Sequence, residues 1–196
     1  MSSPLVLVMA AGEGTRMRSS TPKMLHPVCG RPMVAWPIVT ARAAGAGRVA
    51  AIVSPGRDLS QGLPEGVETV EQPQADGTGG AIRAALPLIE EAETVLVLSG
   101  DVPLISKETI ADLLEAHGSS QAAATMLTIE LDDPAAYGRV VRGEDGWVER
   151  VVEAKAAGDA EAWQLEIREI NAGTYVFDAA PLAAALQGLS SDNAQG

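Results

Sequence analysis

The sequence of 196 residues predicts an α/β fold with a doubly wound, mostly parallel sheet and helices on both faces. Short apolar runs recur without polar alternation, which is typical of strands that are covered on both faces. Helical patterns alternate with these runs over the first 120 residues. The alternation changes after Ala122, where longer strands and a hairpin signal follow. The sheet is therefore expected to be mixed, with its parallel part built first.

The elements of the first part follow from the position of the apolar runs. Pro37 lies inside the first helical pattern, so that helix is expected to start late or to kink. The predicted strands are Leu5–Met9, Val49–Val53, Val67–Val70 and Val95–Leu98, and the predicted helices are Met33–Ala44, Gly80–Ile89 and Lys107–His117.

The second part predicts a sheet extension. Four residues, Gly143 to Gly146, separate two apolar runs and indicate a hairpin. No linker divides the chain, so residues 1–196 are expected to form one domain with a nucleotide-binding half (about 1–120) and a half for a second substrate (about 121–196). The predicted elements are the strands Ala123–Leu131, Arg139–Arg142, Trp147–Val152 and Glu169–Asp178 and the helix Ala180–Gln187.

Composition excludes several classes of function. The formal net charge is -12 and aromatic residues make up 3%, which argues against a nucleic-acid partner. Cys29 is the single cysteine, so no internal disulfide can form. No apolar segment has the length of a membrane span, and we expect a cytoplasmic protein without a membrane partner.

A glycine-rich loop follows the first predicted strand. Gly12 and Gly14 lie in this loop, whose backbone N–H groups can bind an anion, and Arg16 and Lys23 follow as cations. Met17 occupies the third glycine position of a dinucleotide fingerprint, and no G-K-[ST] follows, so neither common nucleotide motif is present. The pattern favours a nucleoside triphosphate; an ordinary strand-to-helix turn is the alternative.

Two further motifs place polar residues at strand ends. Asp101 follows an apolar strand through Gly100, at the sheet edge where a divalent cation that bridges phosphates needs a carboxylate. Gln72 also ends a strand, and its amide can both donate to and accept from a base. Gly77 and Thr78 then open a helix. The alternatives are a turn residue for Asp101 and a helix N-cap for Thr78.

The order of these motifs resembles that of the sugar-1-phosphate nucleotidyltransferases. Nearly the whole chain takes part, and the segments Y-G-R, V-E-x-K and I-N-x-G make it most similar to the N-acetylglucosamine-1-phosphate uridylyltransferase branch. The motifs are A-A-G-E-G-T-R-M, P-K-M-L-H, G-T-G-G-A, G-D-V-P-L, L-D-D-P-A-A-Y-G-R-V, V-E-A-K, I-N-A-G and D-N-A-Q-G. The resemblance implies a Rossmann-like sheet of the nucleotide-diphospho-sugar transferase type.

The resemblance also implies substrates and site residues. UTP and N-acetylglucosamine 1-phosphate would be the small-molecule substrates, UDP-N-acetylglucosamine and pyrophosphate the products, and Mg²⁺ the cofactor, with Asp101 as its ligand. Arg16 and Lys23 would be catalytic and hold the triphosphate. The nucleotide would contact Ala10, Ala11, Gly12, Gly14, Gln72, Gly77 and Thr78, and the sugar would contact Gly138, Glu153 and Asn171. A homo-oligomer is left open.

The chain departs from the family pattern at several positions. Ala75 replaces a second base-contacting Gln, and Gly80 and Ala154 replace histidines. D-N-A-Q-G ends at Gly196, where the family continues into strands that supply an Asn metal ligand. We therefore expect the domain to be incomplete at its C-terminus, with weak activity that an extension would restore.

Alternatives to this function stay open. The chain could transfer another nucleotide to another sugar phosphate or cofactor, or it could bind nucleotide without catalysis. The presence of Arg16, Lys23 and Asp101 argues against a pure sensor. A dinucleotide-dependent oxidoreductase is disfavoured by Met17.

Overall fold

The structure is a computed structural model that describes residues 3–12, 14, 17–154 and 160–189. The chain forms two compact units: residues 1–125 with 175–196, and residues 126–174. Both β7 and β10 pass from one unit into the other. The strands are β1 (Leu5–Met9), β2 (Pro27–Val28), β3 (Arg31–Pro32), β4 (Arg48–Val53), β5 (Glu68–Glu71), β6 (Thr94–Ser99), β7 (Ala124–Glu130), β8 (Arg139–Arg142), β9 (Val148–Val152) and β10 (Glu169–Asp178). The helices are α1 (Ala35–Ala43), α2 (Gly77–Ala84), α3 (Leu86–Ile89), α4 (Lys107–Ser119), α5 (Ala162–Leu165) and α6 (Ala179–Gln187).

The sheet of the first unit is centred on β1. Strand β1 runs parallel to β4 on one side and to β6 on the other, with Leu7 opposite both Ala50 and Val97. Strand β5 extends the sheet in parallel beyond β4, and the last residues of β10 pair antiparallel with β6. A strand that lies between two neighbouring strands and is covered by helices on both faces has no solvent-exposed face. This explains the unbroken apolar run of β1.

Helices cover both faces of this sheet. Leu5 and Leu7 point to one face, where they join a buried cluster with residues of α2, α3 and α6. The intervening Val6 and Val8 point to the other face and are fully buried. Helix α1 packs against β1 and α4. The expected α/β fold with a mixed, mostly parallel sheet is confirmed.

Two prolines act on the helices in different ways. The expected single helix Gly80–Ile89 is wrong: α2 begins at Gly77 and ends at Ala84, and α3 follows from Leu86. Pro87 has no N–H for the carbonyl of Arg83, so α2 cannot continue through it. Pro37 lies in the first turn of α1, where a backbone N–H needs no intrahelical partner. That helix begins at Ala35, two residues later than the pattern began.

The second unit is built around the hairpin of β8 and β9. The two strands pair antiparallel, and Gly143 N donates to Trp147 O at 2.9 Å, as the glycine-bounded turn predicted. Ile170 of β10 pairs with Arg139 of β8. Helix α5, which the sequence did not predict, packs against β8. Within the described residues no helix is both long and apolar enough to cross a bilayer.

Candidate active site

A cleft of about 410 Å³ opens in the first unit at the carboxyl ends of β1 and β6. Gly100 N donates to Met9 O at 2.9 Å, so the chains that leave the two strands run side by side. Ligands of open α/β sheets bind at this edge. The residues that line the cleft are Met9, Ala11, Gly12, Gly14, Lys23, Met24, Gln72, Ala75, Gly77, Thr78, Ala81, Ser99 and Asp101.

An ion pair between Lys23 and Asp101 crosses this cleft. Lys23 Nζ donates to Asp101 Oδ2, and Ser99 Oγ donates to Asp101 Oδ1 at 2.5 Å. Both charged side chains are about one-third exposed or less. The two residues are 78 positions apart in the sequence, and the structure brings together the expected cation and the expected carboxylate.

Opposing influences act on the pKa of Asp101. Burial by itself would raise the pKa, but the hydrogen bonds from Lys23 and Ser99 outweigh burial and hold the pKa below its usual value. Asp101 is therefore a carboxylate at neutral pH. Such a group can bind a cation.

Close packing against Lys23 and Met24 requires glycine at two positions. Gly14 has φ +64°, and a Cβ there would lie 2.5 Å from Lys23 Cβ. A Cβ on Gly100 would lie 2.9 Å from Met9 O and 3.1 Å from the Sδ of the buried Met24. Met24 thus fits beneath Gly100 and fixes the backbone that carries Lys23.

Ser54 and Arg57 hold the glycine-rich loop from behind, and the sequence analysis missed both. Ser54 Oγ donates to Ala11 O at 2.5 Å, and Arg57 Nη1 donates to Gly12 O at 3.3 Å. The C=O and N–H of a trans peptide point in opposite directions, so a carbonyl held at Ser54 turns the N–H of Gly12 the other way. No motif in the sequence links positions 11 and 54.

Gln72 lies against the start of α2. Its side chain is buried and Nε2 donates to Asp76 Oδ1 at 3.0 Å and to Gly77 O at 3.2 Å. Asp76, not Thr78, is the N-cap residue of α2, and Thr78 is exposed inside the first turn. Gln72, Gly77 and Thr78 all line the cleft, as does Ala75.

Ala10, which was expected to contact the nucleotide, lies in the core. Ala10 is fully buried, its N–H donates to Ile52 O at 2.9 Å, and it is not among the described residues that line the cleft. Arg16 lies outside the described residues.

The three expected sugar residues meet in the second unit. Asn171 N donates to Gly138 O at 3.0 Å, and a Cβ on Gly138 would lie 3.9 Å from Glu153 Oε1. Asn171 Oδ1 accepts from Gly173 N at 2.9 Å, which fixes its amide. An amide and a carboxylate near Gly138 offer the acceptors and donors that a sugar needs.

Arg139 closes the loop that precedes this cluster. Its buried guanidinium donates to the carbonyls of Pro134, Ala135 and Tyr137. Ala135 has φ +44°, an uncommon value for a residue other than glycine. Arg139 holds this backbone in place and so positions Gly138.

The described side chains of the cleft could hold a divalent cation only together with ligands from the substrate and from water. The described part of the chain holds no group of three or more His, Cys, Asp or Glu side chains that could hold a metal ion. Mg²⁺ is commonly bound by one or two carboxylates, with substrate phosphates and waters as the other ligands. Asp101, a charged carboxylate that faces the cleft, fits this type of site.

Comparison with known proteins agrees with the geometry. The family described as "MobA-like NTP transferase domain" matches residues 6–170. "Bifunctional protein GlmU" of Clavibacter sepedonicus is 43% identical over 97% of this chain and 39% of that protein. The proteins of the same name from Bacillus cytotoxicus and Geobacter metallireducens are 44% and 42% identical over 100% of this chain and 42% and 41% of their own lengths.

The chain thus spans about two-fifths of the length of the curated relatives it matches. A solved structure, HddC from Yersinia pseudotuberculosis, superposes with a TM-score of 0.70 at 24% identity, covers 92% of this chain and 79% of its own, and supports the fold. The resemblance that the sequence motifs indicated is confirmed. The chain belongs to the MobA-like NTP transferase family and is a nucleotidyltransferase.

Proposed function

We propose that the chain transfers the uridylyl group of UTP to N-acetylglucosamine 1-phosphate and forms UDP-N-acetylglucosamine and pyrophosphate. The observation that carries the proposal is the Lys23–Asp101 ion pair in a cleft that glycine-rich backbone and Gln72 also line. This cleft offers a cation, a carboxylate and backbone N–H groups to one phosphorylated ligand.

The reaction needs no nucleophile from the protein. A phosphate oxygen of the sugar phosphate attacks the α-phosphorus of UTP and forms the new P–O bond. The bond from the α-phosphorus to the bridging oxygen breaks, and pyrophosphate leaves with that electron pair. Positioning and charge stabilisation supply the catalysis of such a transfer.

Lys23 is the described residue that would stabilise the transferred group. Its Nζ bonds to Asp101 and can move to a phosphate oxygen when UTP enters. A cation beside the transferred phosphoryl group lowers the barrier because it neutralises the negative charge there. Arg16 would add a second cation by its position in the motif.

Asp101 would hold Mg²⁺, which when bound supplies neutralising charge for the phosphates. Gln72 would accept a hydrogen bond from the base, and the N–H of Gly12 would face the nucleotide. Gly138, Glu153 and Asn171 would bind the N-acetylglucosamine moiety through the cluster in the second unit. A cytoplasmic location suits these substrates.

The test measures pyrophosphate release with UTP, N-acetylglucosamine 1-phosphate and Mg²⁺. We expect release only with both substrates present. Asp101→Asn should lower the rate about 100-fold or more. The matched control is Asp112→Asn on the exposed face of α4, which removes the same charge and should leave the rate unchanged.

A second measurement separates catalysis from binding alone. UTP binding is followed by calorimetry with the same three proteins. UTP binding without pyrophosphate release in the presence of any sugar phosphate or related acceptor would contradict the transferase proposal and favour a non-catalytic nucleotide-binding module. Release with another acceptor but not with N-acetylglucosamine 1-phosphate would contradict the proposed sugar.

A further inference from the structure

The amide of Gln72 is held in one orientation by its surroundings. Nε2 faces a carboxylate oxygen of Asp76 and the backbone carbonyl of Gly77. Both of these groups can only accept hydrogen bonds, so the NH₂ end of the amide must point toward them. The remaining polar atom of Gln72, Oε1, can only accept.

Asp76 reaches Gln72 because residue 80 has no side chain. A Cβ built on Gly80 would lie 1.7 Å from Asp76 Oδ1 and 2.1 Å from its Cγ. The carboxylate therefore occupies the space that any other residue at position 80 would fill. Gly80 is buried inside α2, where a glycine weakens the helix, so its presence needs a reason of this kind.

Asp76 stays charged in this position. The hydrogen bond from Gln72 is the main cause of a pKa below the usual value, and Arg83 adds to it. Arg83 Nη2 donates to Asp76 Oδ2 at 2.7 Å, while Oδ1 accepts from Gln72. The two oxygens thus have separate partners.

From these contacts we propose that Asp76 is a positioning residue that makes Gln72 an acceptor toward the nucleobase and so selects bases with a ring N–H. The inference rests on the proposed function, in which Gln72 contacts the base. Uracil offers a hydrogen at N3, whereas cytosine carries a lone pair at the same ring position. A fixed Oε1 accepts from the first and repels the second.

Loss of the Asp76 contact would release the amide. Gln72 could then turn its Nε2 toward the base and donate to N3 of cytosine. The variant is expected to bind CTP better and UTP worse, which a general loss of structure would not do. Discrimination between the two nucleotides is the measured quantity, and it does not depend on catalysis.

The experiment uses calorimetric binding of UTP and CTP to the full chain, with Mg²⁺ in every arm and no sugar phosphate. The wild type should prefer UTP. Asp76→Ala should lower the ratio of the UTP affinity to the CTP affinity about tenfold. This is the size expected when one hydrogen bond to the base is replaced by a repulsion. Gly80→Ala should lower it similarly with Asp76 still present, because the new Cβ displaces the carboxylate.

Arg83→Gln is the control. It removes the ion pair but leaves the Asp76 carboxylate beside Gln72, so the ratio should stay within about twofold of the wild type. In a double-mutant cycle, adding Asp76→Ala to Gln72→Ala should change the ratio no further, because the positioned group is gone. Thermal melts of each variant verify folding, and Gly80→Ala serves if Asp76→Ala does not fold.

The outcomes separate the two proposals. A wild type that binds neither nucleotide, or shows no preference, overturns the inference. So does an unchanged ratio in both Asp76→Ala and Gly80→Ala, or an equal loss in Arg83→Gln. A preference for UTP that falls in Asp76→Ala and Gly80→Ala supports the inference, whether or not pyrophosphate is released. The absence of pyrophosphate release would contradict the transferase proposal alone.

Discussion

The two units hold their candidate sites by different means. In the first unit the cleft lies at the end of buried aliphatic strands, and residues such as Val6, Leu7 and Val8 are fully buried. Among its described residues, the second unit has few buried aliphatic side chains, and Arg139 and Gln164 are two of its buried polar ones. The first site therefore rests on a packed aliphatic sheet, whereas the second depends more on directed hydrogen bonds. The same contrast should appear when single residues are changed.

The largest expected effect is on catalysis in the first unit. Lys23→Met should lower the rate of pyrophosphate release about 100- to 1000-fold, because the cation beside the phosphates is lost. Stability should change by less than about 1 kcal/mol, since the ion pair is partly exposed and the strands beneath it are intact. Rates and urea melts measure the two effects.

Lys107→Met is the matched control for Lys23→Met. Lys107 is exposed at the start of α4, so its loss should change neither rate nor stability. The free energy of unfolding lost in Lys23→Met could be as large as the transition-state stabilisation that is lost. That result would mean that the cleft depends on the ion pair for its fold.

The second unit should respond in the opposite way. Arg139→Met keeps the apolar stem but leaves the carbonyls of Pro134, Ala135 and Tyr137 without the guanidinium. We expect a loss of about 2–4 kcal/mol in the free energy of unfolding, because the buried Arg139 loses three partly buried hydrogen bonds from a charged donor. Hydrogen exchange should rise first in β8 and β9.

Arg150→Met serves as the control because Arg150 is exposed on β9. It should change stability by less than about 0.5 kcal/mol. Equal protection of β8 and β9 in wild type and Arg139→Met would argue that packing, not hydrogen bonding, holds this unit.

A polar contact inside the first unit should have a smaller effect. His117 is buried, with Nδ1 2.8 Å from Thr125 Oγ1 and Nε2 3.3 Å from Asp178 Oδ1. His117→Phe replaces these hydrogen bonds by apolar contact and should cost about 1–2 kcal/mol, measured by urea unfolding. A double-mutant cycle with Thr125→Val should give a coupling energy of about 0.5 kcal/mol or more; additive losses would show that the contact contributes nothing.

The smallest effect is a pH dependence in the second unit. Glu169 accepts from Arg142 at 2.8 and 2.5 Å, and this hydrogen bonding is the main reason that the pKa of Glu169 is lowered. A lowered pKa stabilises the fold above the unfolded value of about 4.3, and the contribution disappears as the pH falls through the folded pKa. Glu169→Gln should therefore be less stable than wild type at pH 7 by under about 1 kcal/mol.

Urea melts at pH 7, 5, 4 and 3 measure the stability difference between wild type and Glu169→Gln. The difference should be constant at pH 7 and 5 and should shrink at the two lower values. A difference that stays the same at pH 3 would show that the loss comes from packing rather than from the charge.

The regular elements could be predicted because their cause lies within a few residues. Strand β10 was expected at Glu169–Asp178 and is found there, and β1 was likewise placed from its apolar run. The β2–β3 hairpin was missed because each strand has only two residues, too few to show a pattern. Pro37 indicated that α1 would start late or kink, and the helix does begin late, at Ala35, with the proline in its first turn.

The site could be predicted only where a motif carries it. Lys23, Asp101 and Gln72 were named because each stands in a short recognisable segment, Asp101 and Gln72 at strand ends and Lys23 after the glycine-rich loop. Ser54 and Asp76 were not named, because their importance lies in what they contact. Ser54 meets a loop carbonyl 43 residues away, and Asp76 depends on the missing side chain at Gly80. Neither a distant contact nor a missing side chain can be detected from composition or periodicity.

The place of Met24 beneath Gly100 has a consequence for the entropy of ligand binding. Met24 is 4% exposed and the backbone next to it carries Lys23. A long side chain on a mobile loop loses both backbone and side-chain freedom when it contacts a ligand, at a cost of about 0.5–1.5 kcal/mol for the side chain alone. Here the neighbouring Met24 is buried, and the ion pair with Asp101 already restricts the lysine side chain. Lys23 therefore exchanges one restricted position for another, and the affinity for a phosphate is not reduced by the ordering of this side chain.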